Sequence, residues 1–150
     1  MDQEKLIQII KTGENQEIEF KEGCPSETKL SELICGFANA DGGFLLLGIG
    51  KKGEIKGLQC NFDKLQQTIA NARQHISSSP HISTTIQAID DKKIAVIEVA
   101  KANDKNAHTF NGAVYVRMGS TNQKLEGQSL IDFLKNRQIL CFDEQDTEAK

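Results

Sequence analysis

Several absences limit this chain before any motif is considered. It contains no tryptophan and a single tyrosine, so little aromatic surface is available for stacking on nucleic-acid bases. No apolar run approaches the roughly 20 residues of a membrane span. The polar residues 1–5 also lack the basic-then-apolar pattern of a signal peptide. We therefore expect a cytoplasmic protein with no membrane partner.

The cysteines do not form a metal-binding or disulfide pattern. They are widely separated, with no Cys-x-x-Cys pair and no histidine at zinc-ligand spacing. The four are Cys24, Cys35, Cys60 and Cys141. We expect reduced thiols, no bound metal and no cofactor.

Charge is low in total but unevenly distributed. The net charge of −3 argues against a uniformly basic nucleic-acid binder. Residues 141–150 contain four acids and one lysine, so we expect a flexible acidic tail after a single domain over residues 1–140. Residues 92–137 contain eight Lys or Arg against four acids, which predicts one basic end of the molecule. The alternative is that these charges are scattered over solvated faces.

Hydrophobic periodicity predicts an α+β domain with a mixed β-sheet and three to four helices. Asp2, Ser26 and Asn61 are suitable N-caps for the first three helices. Helices are predicted over residues 2–13, 26–38 and 61–76, with a fourth from residue 127. Strands are predicted over residues 17–21, 44–49, 54–58, 82–89, 93–100 and 113–118. The strand over 44–49 is apolar on both faces, which predicts a central position.

A glycine-rich segment follows that apolar strand. Residues 48–53 match the spacing G-x-G-x-x-G, but a dinucleotide-binding loop must open a helix. Residues 54–58 have a strand pattern instead, so we interpret residues 44–58 as a β-hairpin with its turn at 51–53. No Walker sequence is present either, and the chain shows no nucleotide site of its own.

Acidic residues near the first strand are candidate metal ligands. Alternation over residues 17–21 predicts that Glu17, Glu19 and Lys21 share one surface, with Glu14 close by. Carboxylates suit magnesium or manganese, and nucleases use such groups. The alternative is a solvated acidic strand edge that prevents edge-to-edge association.

Basic and hydroxyl residues around the last predicted strand are candidate phosphate contacts. Arg117, Ser120 and Thr121 end that strand and enter a polar turn. Guanidinium, ammonium and hydroxyl groups position a nucleic-acid backbone without reading its bases. The candidate nucleic-acid-binding residues are Lys21, Lys101, Lys105, Arg117, Ser120, Thr121 and Lys124. The alternative is an ordinary basic loop.

Three ordered motifs resemble one known family. They are Glu19-Phe20-Lys21, the segment 37–48 with its Phe-Ala-Asn-Ala-Asp-Gly-Gly start, and the segment 112–121 with Tyr-Val-Arg-Met-Gly-Ser-Thr. Together they resemble the bacterial, single-lobe Schlafen AlbA-type domain. The resemblance implies a Schlafen AlbA-like fold and a DNA-binding domain that acts as a transcriptional regulator or an accessory module.

The resemblance also raises an enzymatic alternative. RNA-cleaving relatives suggest a three-carboxylate metal site, and Glu14 and Glu19 match the first two acids by their spacing. Lys51 and Lys52 stand where the third acid is expected, which disfavours a divalent ion. Our first prediction is therefore a DNA-binding domain without enzymatic activity. The alternatives are a Mg- or Mn-dependent endoribonuclease and a protein-interaction module. Because larger relatives pair two lobes, a homodimer is also expected.

Overall fold

The computed structural model of the protein describes residues 1–103 and 106–137. Within them the chain forms four helices and six strands. The helices are α1 (Gln3–Thr12), α2 (Glu27–Ala38), α3 (Phe62–Gln74) and α4 (Gly127–Asn136). The strands are β1 (Ile18–Lys21), β2 (Gly43–Leu47), β3 (Ile82–Ile89), β4 (Lys92–Val99), β5 (Tyr115–Met118) and β6 (Thr121–Lys124). The predicted α+β class is confirmed.

The main sheet has four strands in the order β1-β2-β4-β3. Strands β1 and β2 are parallel and are connected by α2, whereas β4 is antiparallel to both β2 and β3. The sheet is therefore mixed, and β2 lies inside it as predicted. Strands β5 and β6 form a separate antiparallel pair, which we call the β5–β6 ribbon.

Apolar side chains of β2 are buried on both faces of the sheet. Leu45 and Leu47 pack in a cluster with α2 and α3, whereas Leu46 packs in a second cluster with α1. This arrangement follows from the two-residue period of a strand and explains why the segment has no polar face. Among the described residues, no helix has the length and apolar character needed to cross a membrane.

The predicted N-caps start the first three helices. The side chains of Asp2, Ser26 and Asn61 accept hydrogen bonds from the amides three residues later, at 2.7, 3.1 and 3.0 Å. A glycine is required after α2, where Gly43 has φ +148° and a Cβ would lie 2.3 Å from the carbonyl oxygen of Glu17. This close approach places β2 directly beside the start of β1.

Two strand predictions need correction. Residues 54–58 do not form a strand, and the predicted hairpin over 44–58 is reduced to one bridge between Ile49 and Ile55. The amides of Lys56 and Gly57 both donate to the Gly48 carbonyl, so the backbone turns instead of extending. Thr121, predicted to enter a polar turn, instead begins β6 (Thr121–Lys124), for which no strand was predicted. The pairing of these residues with β5 overrides their polar composition.

The β5–β6 ribbon packs closely on α2 at Gly36. A Cβ at this position would lie 1.7 Å from the side-chain oxygen of Asn122 on β6. The Asn122 amide donates to the Glu32 carbonyl at 2.8 Å, which holds the ribbon against the helix. A helix interior normally disfavours glycine, so this close packing accounts for its presence.

We expect Gly36→Ala to lower the free energy of unfolding by about 1–2 kcal/mol, because overpacking outweighs the gain in helix propensity. In the Asn122→Ala background the same change should be stabilising, since the obstructing oxygen is gone. Urea unfolding of the single and double variants measures both values. Gly23→Ala, where a Cβ meets no atom within 4 Å, is the matched control. Destabilisation by Gly36→Ala in both backgrounds would contradict this account.

Candidate nucleic-acid interface

A buried arginine connects the β5–β6 ribbon to the first strand of the main sheet. The Arg117 side chain is 1% exposed, and its Nη1 lies 2.7 Å from an oxygen of Glu19. Its Nη2 donates to the carbonyls of Asn15 and Ile18, both at 2.8 Å. The guanidinium carbon lies 4.7 Å from the centre of the Phe37 ring on α2. Charge, hydrogen bonds and an aromatic face therefore hold one side chain.

Strand alternation places Glu19 opposite this arginine. Ile18 and Phe20 pack with the α1 cluster, so Glu19 points to the other face of the sheet. That face is covered, and Glu19 is 8% exposed as a residue. The alternative interpretation, in which Glu19 belongs to a solvated acidic strand edge, is therefore wrong for this residue. Its second oxygen lies 3.5 Å from Lys21 Nζ, at the edge of the covered region.

Arg117 has no exposed face for a phosphate, because each nitrogen of its guanidinium donates inside the protein. We therefore assign it a structural role in place of the expected backbone contact. The sequence pattern could not distinguish these roles, since an arginine at the end of a strand is usually exposed.

A second buried residue ties the same parts together. Asn39, just after α2, donates to the carbonyls of His108 and Tyr115, both at 2.8 Å, and accepts from the His108 amide at 2.8 Å. Asn39 is 1% exposed. It therefore fixes the segment before β5 and the first residue of β5 to the end of α2.

The ribbon and the first strand enclose a cleft of ≈ 400 Å³. Ser120 and Thr121 line one side, and the turn after β2 contributes Lys51. We call it the Ser120 cleft. The other charged residues lining it are Glu14, Glu19, Lys21 and Glu22. The structure thus brings Lys21, Ser120 and Thr121 together from the predicted set.

The remaining predicted residues lie elsewhere. Lys101 lines a separate cleft of ≈ 650 Å³ together with Asp41, Met118 and Arg137. Lys124 lies at the end of β6 away from the turn, where it pairs with Tyr115. Lys105 and the predicted acidic tail, residues 141–150, lie outside the described residues. The basic segment predicted from sequence is therefore not one continuous surface in the described part of the chain.

The carboxylates of the Ser120 cleft do not fit a divalent metal. Glu19 is already paired with Arg117 and Lys21, and one oxygen of Glu14 accepts the Phe20 amide at 2.9 Å. Lys51 adds a positive charge where a third acid was expected. Within residues 1–103 and 106–137, no group of three His, Cys, Asp or Glu is placed to hold a metal ion. Glu17 lines a different cleft, beside Phe44.

Sequence reasoning did not identify Gln16 as part of this region. Its amide donates to the Arg117 carbonyl at 2.8 Å, and its oxygen accepts the Gly119 amide at 2.6 Å. Gln16 therefore holds the β5–β6 turn that carries Ser120. No sequence signal marks it, because a glutamine between two elements has many possible partners. The sequence did draw attention to Lys51, because this lysine stands where the resemblance leads us to expect the third carboxylate of a metal site.

Fold and site define an α+β domain in which three motifs meet around one buried ion pair. The chain belongs to the Schlafen, AlbA_2 family, whose model matches residues 14–126. No curated protein matches the sequence.

Two solved structures share the fold. One is the N-terminal domain of a protein from Nitrosomonas europaea named for its relation to the ATP-dependent DNA helicase RecG. It has 24% identity and a TM-score of 0.55, and the match covers 83% of this chain and 93% of that domain. The other is the DIP2311 protein from Corynebacterium diphtheriae, with 22% identity and a TM-score of 0.57 over 74% of this chain. The match spans a quarter (25%) of that protein's length.

We expect Arg117→Ala to destabilise the protein by about 3–5 kcal/mol, because Glu19 would stay buried without its main partner. Lys21→Ala removes the other, half-exposed partner of the same carboxylate and should cost about 0–1 kcal/mol. Urea unfolding followed by circular dichroism measures both. Equal losses for the two variants would contradict the assignment of Arg117 as the residue that stabilises the fold.

Proposed function

We propose that this chain is a nucleic-acid-binding domain that contacts the phosphate backbone through the Ser120 cleft and the exposed β5–β6 turn. The observation that carries the proposal is the meeting of the exposed Ser120 hydroxyl with Lys21 and Lys51 in one cleft. Thr121 lines the same cleft, but its hydroxyl donates to the Met118 carbonyl at 3.0 Å. Hydroxyl and ammonium donors are the usual contacts to phosphate oxygens. Membership of the Schlafen, AlbA_2 family supports it.

The charge of the cleft predicts the strength of binding. Lys21 is already paired with Glu19, so Lys51 and its exposed neighbour Lys52 supply most of the positive charge available to a ligand. Glu14 and Glu22 lie close by and oppose an anion. With a net charge of −3 for the whole chain, binding should be weak and strongly salt-dependent.

We favour DNA as the ligand over RNA. One structure of the same fold belongs to a protein named for a DNA helicase, which supports this choice. We further propose that the domain acts in the bacterial cytoplasm as a transcriptional regulator or an accessory module, and that it forms a homodimer. A second copy would supply the second lobe that a longer binding surface requires. Light scattering that finds only a monomer near 16.6 kDa would exclude the dimer.

The binding proposal is tested with the double variant Lys51→Ala/Lys52→Ala. We expect weaker binding to all duplex sequences alike, with the slope of log affinity against log salt reduced by about 2. Fluorescence anisotropy with labelled duplex DNA, single-stranded DNA and stem-loop RNA measures this. Lys64→Ala on α3, an exposed lysine that lines neither of the two clefts around the β5–β6 turn, is the control for the loss of one lysine charge elsewhere on the protein.

Equal affinities for the two variants would remove the Ser120 cleft from the interface. No binding of any nucleic acid at low salt would favour the alternative that the chain is a protein-interaction module. The positions of Lys101 and Lys124 away from the Ser120 cleft are the observation that supports that alternative.

The endoribonuclease alternative rests on one observation, that Glu14 and Glu19 line the same cleft. We expect no cleavage of stem-loop RNA with magnesium or manganese, because Glu19 is engaged by two cations. Gel analysis of the RNA after incubation measures this. The informative variant is Glu14→Gln, since Glu19→Ala would leave Arg117 buried without its ion pair. Metal-dependent cleavage that Glu14→Gln abolishes would establish the nuclease.

A further inference from the structure

Two cysteines that are distant in sequence lie side by side in the structure. Cys24 Sγ lies 3.3 Å from Cys60 Sγ, and the two residues are 36 positions apart. Both are free thiols. Sequence spacing gave no sign of this pair, because the contact is made by the packing of α2 against α3.

The location of the pair favours contact with solvent. Cys24 is exposed and Cys60 half-buried, and both line a small cleft of ≈ 180 Å³ with Pro25, Lys64 and Thr68. Partial burial of its sulfur, and then the contact with Cys60, raise the pKa of Cys24 to about 11, so the resting Cys24 thiol is protonated near neutral pH. Cys35, in contrast, is buried in the core and has no path to a reagent.

We propose that Cys24 and Cys60 are a redox-active pair that closes to an intramolecular disulfide when it meets a low-molecular-weight disulfide. Bond formation requires the sulfurs to approach to about 2.05 Å. Each cysteine lies in a short segment just before a helix N-cap, two residues before Ser26 and one before Asn61. Cys60 packs against the core cluster, so the adjustment falls mainly on the exposed Cys24 segment.

The reaction is a two-step thiol–disulfide exchange. Cys24, the more exposed thiol, loses its proton and attacks one sulfur of the small disulfide, which forms a mixed disulfide and releases one small thiol. Cys60 then loses its proton and attacks the Cys24 sulfur, which forms the Cys24–Cys60 bond and releases the second small thiol. The protein gives up two electrons and two protons, and the small disulfide is reduced to two thiols.

The bond would join the N-terminal ends of α2 and α3. These helices already pack together in one core cluster, and the Ser31 hydroxyl on α2 donates to the Ala72 carbonyl on α3 at 3.1 Å. A cross-link between packed elements adds little strain and restricts the unfolded chain over 36 positions. The proposal does not depend on nucleic-acid binding.

The test is oxidation of the full chain with excess oxidised glutathione. We expect the thiols titrated after denaturation to fall from four to two, and a peptide map to show Cys24 linked to Cys60. The Cys60→Ser variant should stop at a glutathione adduct on Cys24, whereas Cys141→Ser should still form the bond. Four remaining thiols, a Cys24–Cys141 link, or only disulfide-linked dimers would overturn the proposal.

Thermal unfolding provides a second measurement. The oxidised protein should melt roughly 10 °C higher than the reduced protein. The difference should disappear with dithiothreitol and be absent in Cys60→Ser. A mapped Cys24–Cys60 bond with a lower melting temperature would show that the native fold does not accept it.

Discussion

The ion pair between Arg117 and Glu19 is the interaction on which the arrangement of this domain depends. It joins the β5–β6 ribbon to β1, although 98 residues separate the partners in sequence. A buried ion pair costs desolvation energy, and it is tolerated only when both partners are fully engaged. Here the backbone carbonyls of Asn15 and Ile18 and the ring of Phe37 complete that engagement.

The ion pair also sets the position of the exposed turn between β5 and β6. With Arg117 anchored, β5 ends at Met118, and the following turn lies beside the segment before β1, between two clefts. Met118 lines one of these clefts, and Ser120 and Thr121 line the other. Gln16 fixes the turn by bonding both Arg117 and Gly119. The position of the exposed turn is therefore set by the buried Arg117 and by the two hydrogen bonds of Gln16, and such fixed geometry is what a preorganised binding surface needs.

Much of the fold could be predicted from local patterns, because those patterns are themselves local in origin. The caps at Asp2, Ser26 and Asn61 and the doubly apolar strand β2 depend on neighbours in sequence. The errors occurred where distant contacts decide. β6 has no strand pattern of its own and exists through β5 and α2, whereas residues 54–58 have a strand pattern without a pairing partner beyond one bridge.

A related contrast, between buried motif residues and exposed groups, explains which part of the candidate site could be predicted. The motif residues Glu19, Phe37, Asn39 and Arg117 are all buried, and they hold β1, α2 and the β5–β6 ribbon together. They therefore identify the fold well, whereas their charges say little about a ligand. A ligand can contact only exposed groups, such as Lys51, Ser120 and Thr121. The scaffold sets where these groups lie without requiring their chemistry, so one family fold can present different exposed groups to different ligands.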